Sequence, residues 1–123
     1  IDLGGTKSAA LLADPEGTLR ARVSAPTPSD GDAHTLFSFL SELAFAAMRE
    51  ADTPVVGCGV SAGAPADAAR GTVFAAPNLP GWGADGFPLA ARLSEALDGL
   101  PVRVENDADA TAMAEHRFGA GRG

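Results

Sequence analysis

The chain has 123 residues, 46% of them apolar, which suits one folded domain with one core and is too apolar for a disordered segment. A net charge of −7 and a pI near 4.6 argue against a nucleic-acid surface through this segment, since phosphate backbones are bound by clustered Lys and Arg and the 9 basic residues here are scattered. There is no apolar run long enough to cross a bilayer and no signal-peptide pattern, and a single cysteine excludes an internal disulfide and fits a reducing cytoplasm.

The first stretch, Ile1-Asp2-Leu3-Gly4-Gly5-Thr6-Lys7, reads as a strand ending in a tight turn. Its exposed backbone N–H groups, with Thr6 and Lys7, can cradle phosphate oxygens of a nucleotide. Asp2 is then placed to hold magnesium, a hard cation that prefers carboxylate and water oxygens. A Gly-Gly hairpin with a polar tip is the plainer reading. The turn is not a Walker A loop, because threonine precedes lysine and the spacing differs. Ser8 to Ala13 continues as a strand, Asp14-Pro15-Glu16-Gly17 makes a type I turn, and Thr18 to Ala25 returns with alternating apolar and polar residues and one wet face.

Pro26 to Asp32 is a polar loop. From Ala33 to about Glu50 the residues Leu36, Leu40, Leu43, Ala44 and Ala47 recur at helical spacing, behind a possible Asp32 cap. Val55-Val56-Gly57-Cys58-Gly59-Val60 is valine-rich and apolar on both faces, as expected of a buried parallel strand. Its Gly57-x-Gly59 resembles a dinucleotide fingerprint but meets Pro65 where a helix should begin, and is rejected.

Ser61 to Pro65 leads into a short hairpin arm around Thr72–Ala75 and the shaped loop Pro77-Asn78-Leu79-Pro80-Gly81-Trp82. Pro88 opens a helix with Leu89, Leu93, Ala96 and Leu97 on one face, closed by Gly99. Val102 to Glu105 is a strand, Asn106-Asp107 follow it, and a last helix runs to Phe118 with Ala110, Met113, Ala114 and Phe118 on its expected buried side. The succession implies an α/β fold, a mixed sheet with helices packed against it. Ligands of such sheets gather at the carboxyl ends of parallel strands, where Gly4–Lys7, Ser61–Pro65 and Asn106-Asp107 all fall.

Asp107 has two readings: a helix cap, or a general base accepting the proton of an alcohol that attacks a γ-phosphate. Asn78 and Asn106 each combine donor and acceptor, which suits sugar hydroxyls, although loop asparagines also simply form turns. Trp82 is read as a structural aromatic before a sugar platform, and Cys58 as a small core residue. His34 and His116 lack the spaced partners that zinc requires.

Five motifs in order, Asp2–Lys7, Gly59–Pro65, Pro77–Trp82, Glu105–Ala108 and Glu115–Gly121, resemble the ROK family of bacterial sugar kinases and sugar-responsive repressors. The resemblance implies a ribonuclease H-like fold of the actin/hexokinase superfamily, with residues 1–123 as an N-terminal lobe truncated at both ends, and ATP:hexose phosphotransfer, commonly to the 6-hydroxyl. By position, Asp2, Gly4, Gly5, Thr6 and Lys7 match the first phosphate loop, with Asp2 as the magnesium-side acid. Asp107 matches the catalytic base, and Asn78, Asn106 and the backbone at Gly63 and Ala64 match sugar contacts. Asp109 stands where many members have asparagine, and Ala66 where valine is usual.

The resemblance puts a second sugar motif, a cysteine-rich zinc site and an adenosine-binding lobe beyond Gly123, so this segment alone is not expected to be a competent kinase. The missing initiator methionine and the closing Gly119–Gly123 likewise read as an interior piece of a longer protein. Glucose is the expected sugar, with an N-acetylhexosamine the alternative. A sugar-sensing repressor carrying a winged-helix domain before Ile1 is the competing class, and the resemblance leaves homo-oligomers open.

Overall fold

A computed structural model describes residues 1–121. Arg122 and Gly123, read above as part of a closing loop, lie outside the described residues. The elements are β1 (Asp2–Leu3), β2 (Lys7–Ala13), β3 (Leu19–Pro26), α1 (Ala33–Met48), β4 (Cys58–Ala62), β5 (Ala66–Asp67), β6 (Thr72–Val73), a 3₁₀ turn (Pro80–Trp82), α2 (Leu89–Ala96), β7 (Val102–Asn106) and α3 (Asp107–Phe118).

Five strands form one mixed sheet in the order β3-β2-β1-β4-β7. The β1–β2–β3 part is antiparallel because short turns join it, whereas β1, β4 and β7 run parallel across helical crossovers. The parallel trio ends in register: Leu3 pairs with Ala62, and Ala62 with Asn106. The loops that follow these three strands therefore leave the sheet side by side. Strands β5 and β6 form a separate two-stranded arm.

The core lies on the face covered by α1 and α2. Leu3, Val60, Ala62 and Val104 from the sheet meet Leu36 and Leu40 of α1, Leu89 and Leu93 of α2, and Val73, Leu79 and Trp82 from the connecting loops. Helix α1 forms for the reason its spacing implies, with Leu36, Leu40, Leu43, Ala44 and Ala47 buried. Asp32 caps it, accepting from the Thr35 N–H at 3.0 Å. This bond, with a second from the Thr35 hydroxyl, holds the Asp32 carboxyl below the usual range. The Asp14–Gly17 turn closes with Gly17 N–H donating to Asp14 O at 2.9 Å.

Two expectations are corrected. Strand β4 starts at Cys58, and Val55–Gly57 lie outside it with Val56 83% exposed. Pairing decided this: Cys58 N–H donates to Pro101 O, which sets the β4–β7 register and carries the strand forward through Ser61 to Ala62. Burial then alternates, with Val60 and Ala62 inside and Gly59 exposed, so β4 is not apolar on both faces.

The second correction concerns α3, which has no buried residue. Met113 is 62% and Phe118 54% exposed, Ala114 is exposed and Ala110 only half-buried. The helix forms from its cap and its acidic first turn, without a covering layer among the described residues.

Candidate active site

The turn between β1 and β2 is glycine for reasons of space. Neither Gly4 nor Gly5 has a positive φ, so the unusual backbone conformation that glycine permits is not used here. A Cβ on Gly4 would instead lie 2.6 Å from Lys7 O, and one on Gly5 would lie 2.5 Å from Asn78 Cβ. Thr6 and Lys7 are exposed, with hydroxyl and ammonium free to face a ligand.

Asp107 is the first residue of α3 but does not cap it. The cap is Asn106, whose Oδ1 accepts from Ala108 N–H at 3.0 Å. The opposite end of the same side chain donates from Nδ2 to Ala64 O at 3.2 Å, tying the end of β7 to the loop after β4. Asn106 retains one Nδ2 hydrogen and one Oδ1 lone pair for a further partner. The Asp107 carboxylate is exposed and stands beside Gly63: a Cβ on Gly63 would be 3.7 Å from Asp107 Oδ2 and 3.3 Å from Leu3 O. Gly63 N–H donates to Leu3 O at 2.9 Å, so this amide is engaged with β1 and is not free for a sugar.

One end of the sheet therefore collects the turn Gly4–Lys7, the loop at Gly63 and Ala64, Asn78, and the pair Asn106-Asp107. Asp2 lies one residue back, in line with Ser61 and Glu105 across the strands, on the face opposite Leu3. A hollow of about 880 Å³ lies elsewhere, lined by Ile1, Ala10 to Asp14 and the segment 50–59, and shares no residue with this site.

Other candidates resolve by burial. Trp82 is 2% exposed and packs on Phe87 at 5.3 Å between ring centroids, so its rings are not available to stack on a sugar. Burial pushes the Cys58 thiol up from its ordinary value, which leaves it protonated and packed against the core. Sequence reasoning missed Ser8 and Thr27, the buried hydroxyls beneath the glycine turn. A threonine between two prolines in a polar loop gives no periodic signal, and only the contact reveals it.

The ROK family model matches residues 1–123. A glucokinase from Streptomyces coelicolor is 37% identical over all 123 residues of the chain and 36% of its own length. An N-acetyl-D-glucosamine kinase from Citrobacter koseri is 40% identical over 93% of the chain and 36% of the relative. Among solved structures, a ROK family glucokinase from Streptomyces griseus in complex with glucose and AMPPNP superposes with a TM-score of 0.82 at 36% identity, over 99% of this chain and 36% of that one. A ROK hexokinase from Thermus thermophilus gives 0.78 at 39% identity, over 94% and 36%. The chain spans about a third of the length of these relatives. With its whole length matched by the family model and its mixed sheet shared with these structures, the chain belongs to the ROK family.

Proposed function

We propose that the full-length protein is an ATP-dependent hexose kinase that transfers the γ-phosphoryl group to the 6-hydroxyl of a sugar, glucose first, and that residues 1–123 are its N-terminal lobe. The observation that carries this reading is an uncapped, exposed Asp107 beside Gly63, at the same sheet end as a glycine turn with no room for side chains. The glucokinase relatives and the glucose–AMPPNP complex of the Streptomyces griseus protein support the same class.

The Gly4–Lys7 turn fits a polyphosphate, with backbone N–H groups and the exposed Thr6 hydroxyl as donors and the exposed Lys7 ammonium offsetting the charge. Asp2 offers a carboxylate suited to magnesium, which when bound neutralises charge on the transferred group. Asn78 and Asn106 orient the sugar. The Asp107 carboxylate accepts the proton of the attacking hydroxyl as the O–P bond forms, so no free alkoxide builds up. The transition state is largely one of positioning, which explains why rigid strand ends carry the site.

An N-acetylhexosamine is the second substrate reading, favoured by the 40% identity to the Citrobacter koseri kinase. Both readings place the enzyme in the cytoplasm, where ATP is available and the lone Cys58 stays reduced. A coupled ATP-consumption assay of the full-length protein over a hexose panel tests the proposal. Turnover with glucose or an N-acetylhexosamine is expected, and no turnover with any hexose, alongside intact sugar binding, would favour a sensor instead.

A further inference from the structure

Beneath the glycine turn lies a hydroxyl pair that the kinase reading leaves without a role. Ser8 is 1% and Thr27 6% exposed, and they are two of the three buried polar residues among those described. Thr27 holds the turn twice. Its backbone N–H donates to Thr6 O at 2.9 Å, and its Oγ1 donates to Gly4 O at 2.7 Å. Ser8 Oγ lies 2.6 Å from Thr27 Oγ1 and 3.5 Å from Gly4 O.

Each hydroxyl has one proton, so the assignment follows. Gly4 O can only accept, and the shorter contact gives it the Thr27 proton; Ser8 must then donate to Thr27 Oγ1. The chain Ser8→Thr27→Gly4 is directional, and each bond polarises the next in a water-poor site. Gly4 O and Gly5 N–H belong to one planar trans peptide and point in opposite directions. Pulling Gly4 O inward toward Thr27 therefore turns Gly5 N–H outward, away from the core.

We infer that Thr27, backed by Ser8, is a positioning residue for nucleotide phosphate: it fixes the Gly4–Gly5 peptide so that its N–H faces the ligand. The inference rests on the kinase reading, and it assigns a role to a residue that touches neither substrate. Thr27→Val is nearly isosteric and keeps the backbone anchor to Thr6, so it removes only the hydroxyl relay. Thr27→Ser restores it. Ser8→Ala removes the outer donor and leaves the Thr27–Gly4 bond in place.

The test is AMPPNP and glucose binding by calorimetry, with steady-state kinetics, on full-length wild type and these three variants. Thr27→Val is expected to weaken AMPPNP binding and raise the ATP KM by about tenfold, with glucose affinity within about twofold. Thr27→Ser should lie near wild type and Ser8→Ala between the two. AMPPNP affinity unchanged in folded Thr27→Val, equal losses for nucleotide and sugar, or no rescue by serine would each overturn the inference. Amide exchange at Gly5, read on the same proteins, separates this from the parent reading. Wild type that binds no nucleotide would sink the kinase reading, while faster Gly5 exchange in Thr27→Val would still support the hold on the turn, and equal exchange would end it.

Discussion

A methyl group added at Gly5 would lie 2.5 Å from Asn78 Cβ, whereas one added at Gly59 would meet nothing within 4 Å. Neither glycine has a positive φ, so the contrast is one of space. Gly5→Ala must push the turn and Asn78 apart, and should raise the sugar and ATP KM values of the full-length protein together. Gly59→Ala should leave both within about twofold and change stability by no more than about 1 kcal/mol. Equal kinetic damage from both would show that the Gly5–Asn78 contact does not shape the site. The glycines were legible in the sequence as a site for close approach, but which atom approaches was not, because Asn78 comes from a loop more than seventy residues away. For Asp107, by contrast, sequence left two roles open, and the adjacent Asn106 removes one of them by taking the cap.

At the scale of the element, α1 shows a sequence pattern carried through to structure, and α3 shows one that was not. Helix α1 is amphipathic, capped and buried on its predicted stripe. Its cap is also a pH-sensitive contact. The Asp32 carboxyl is held below its ordinary value of 3.8, so the stabilisation it gives is fully present above that pH and is lost as the pH falls through the lower folded value. Acid unfolding followed by circular dichroism should therefore be shallower below about pH 4 in Asp32→Asn, which caps without titrating, than in wild type. Identical acid limbs would remove Asp32 from the account.

Helix α3 has apolar residues at helical spacing, yet spacing alone cannot say whether anything covers them, and the described residues bury none of them. In residues 1–123 prepared alone, amides of α3 should exchange much faster than those of α1, since no buried contact must break for α3 to open. Comparable protection of the two helices would contradict this. The shifted start of β4 has a related cause: valine content marks a run as strand-like, but the pairing of Cys58 with Val102 sets where the ladder begins.

At the scale of the whole molecule, the site depends on three strands ending together. Leu3, Ala62 and Asn106 are in register, and the polar residues that follow each are brought to one edge although they are separated by some forty to sixty residues in sequence. Chain order and composition suggested the α/β class and marked each polar cluster as a strand–loop junction, while the register is set by packing across the sheet. Leu40 sits at the centre of that packing, fully buried between α1 and the sheet. Leu40→Ala should cost about 2–5 kcal/mol in denaturant unfolding. The most direct test of the central claim is phosphorylation of glucose by full-length Asp107→Asn, with glucose binding measured on the same protein. The account predicts kcat lower by about 100- to 10,000-fold with sugar affinity nearly unchanged. Turnover retained within a few fold of wild type would contradict it.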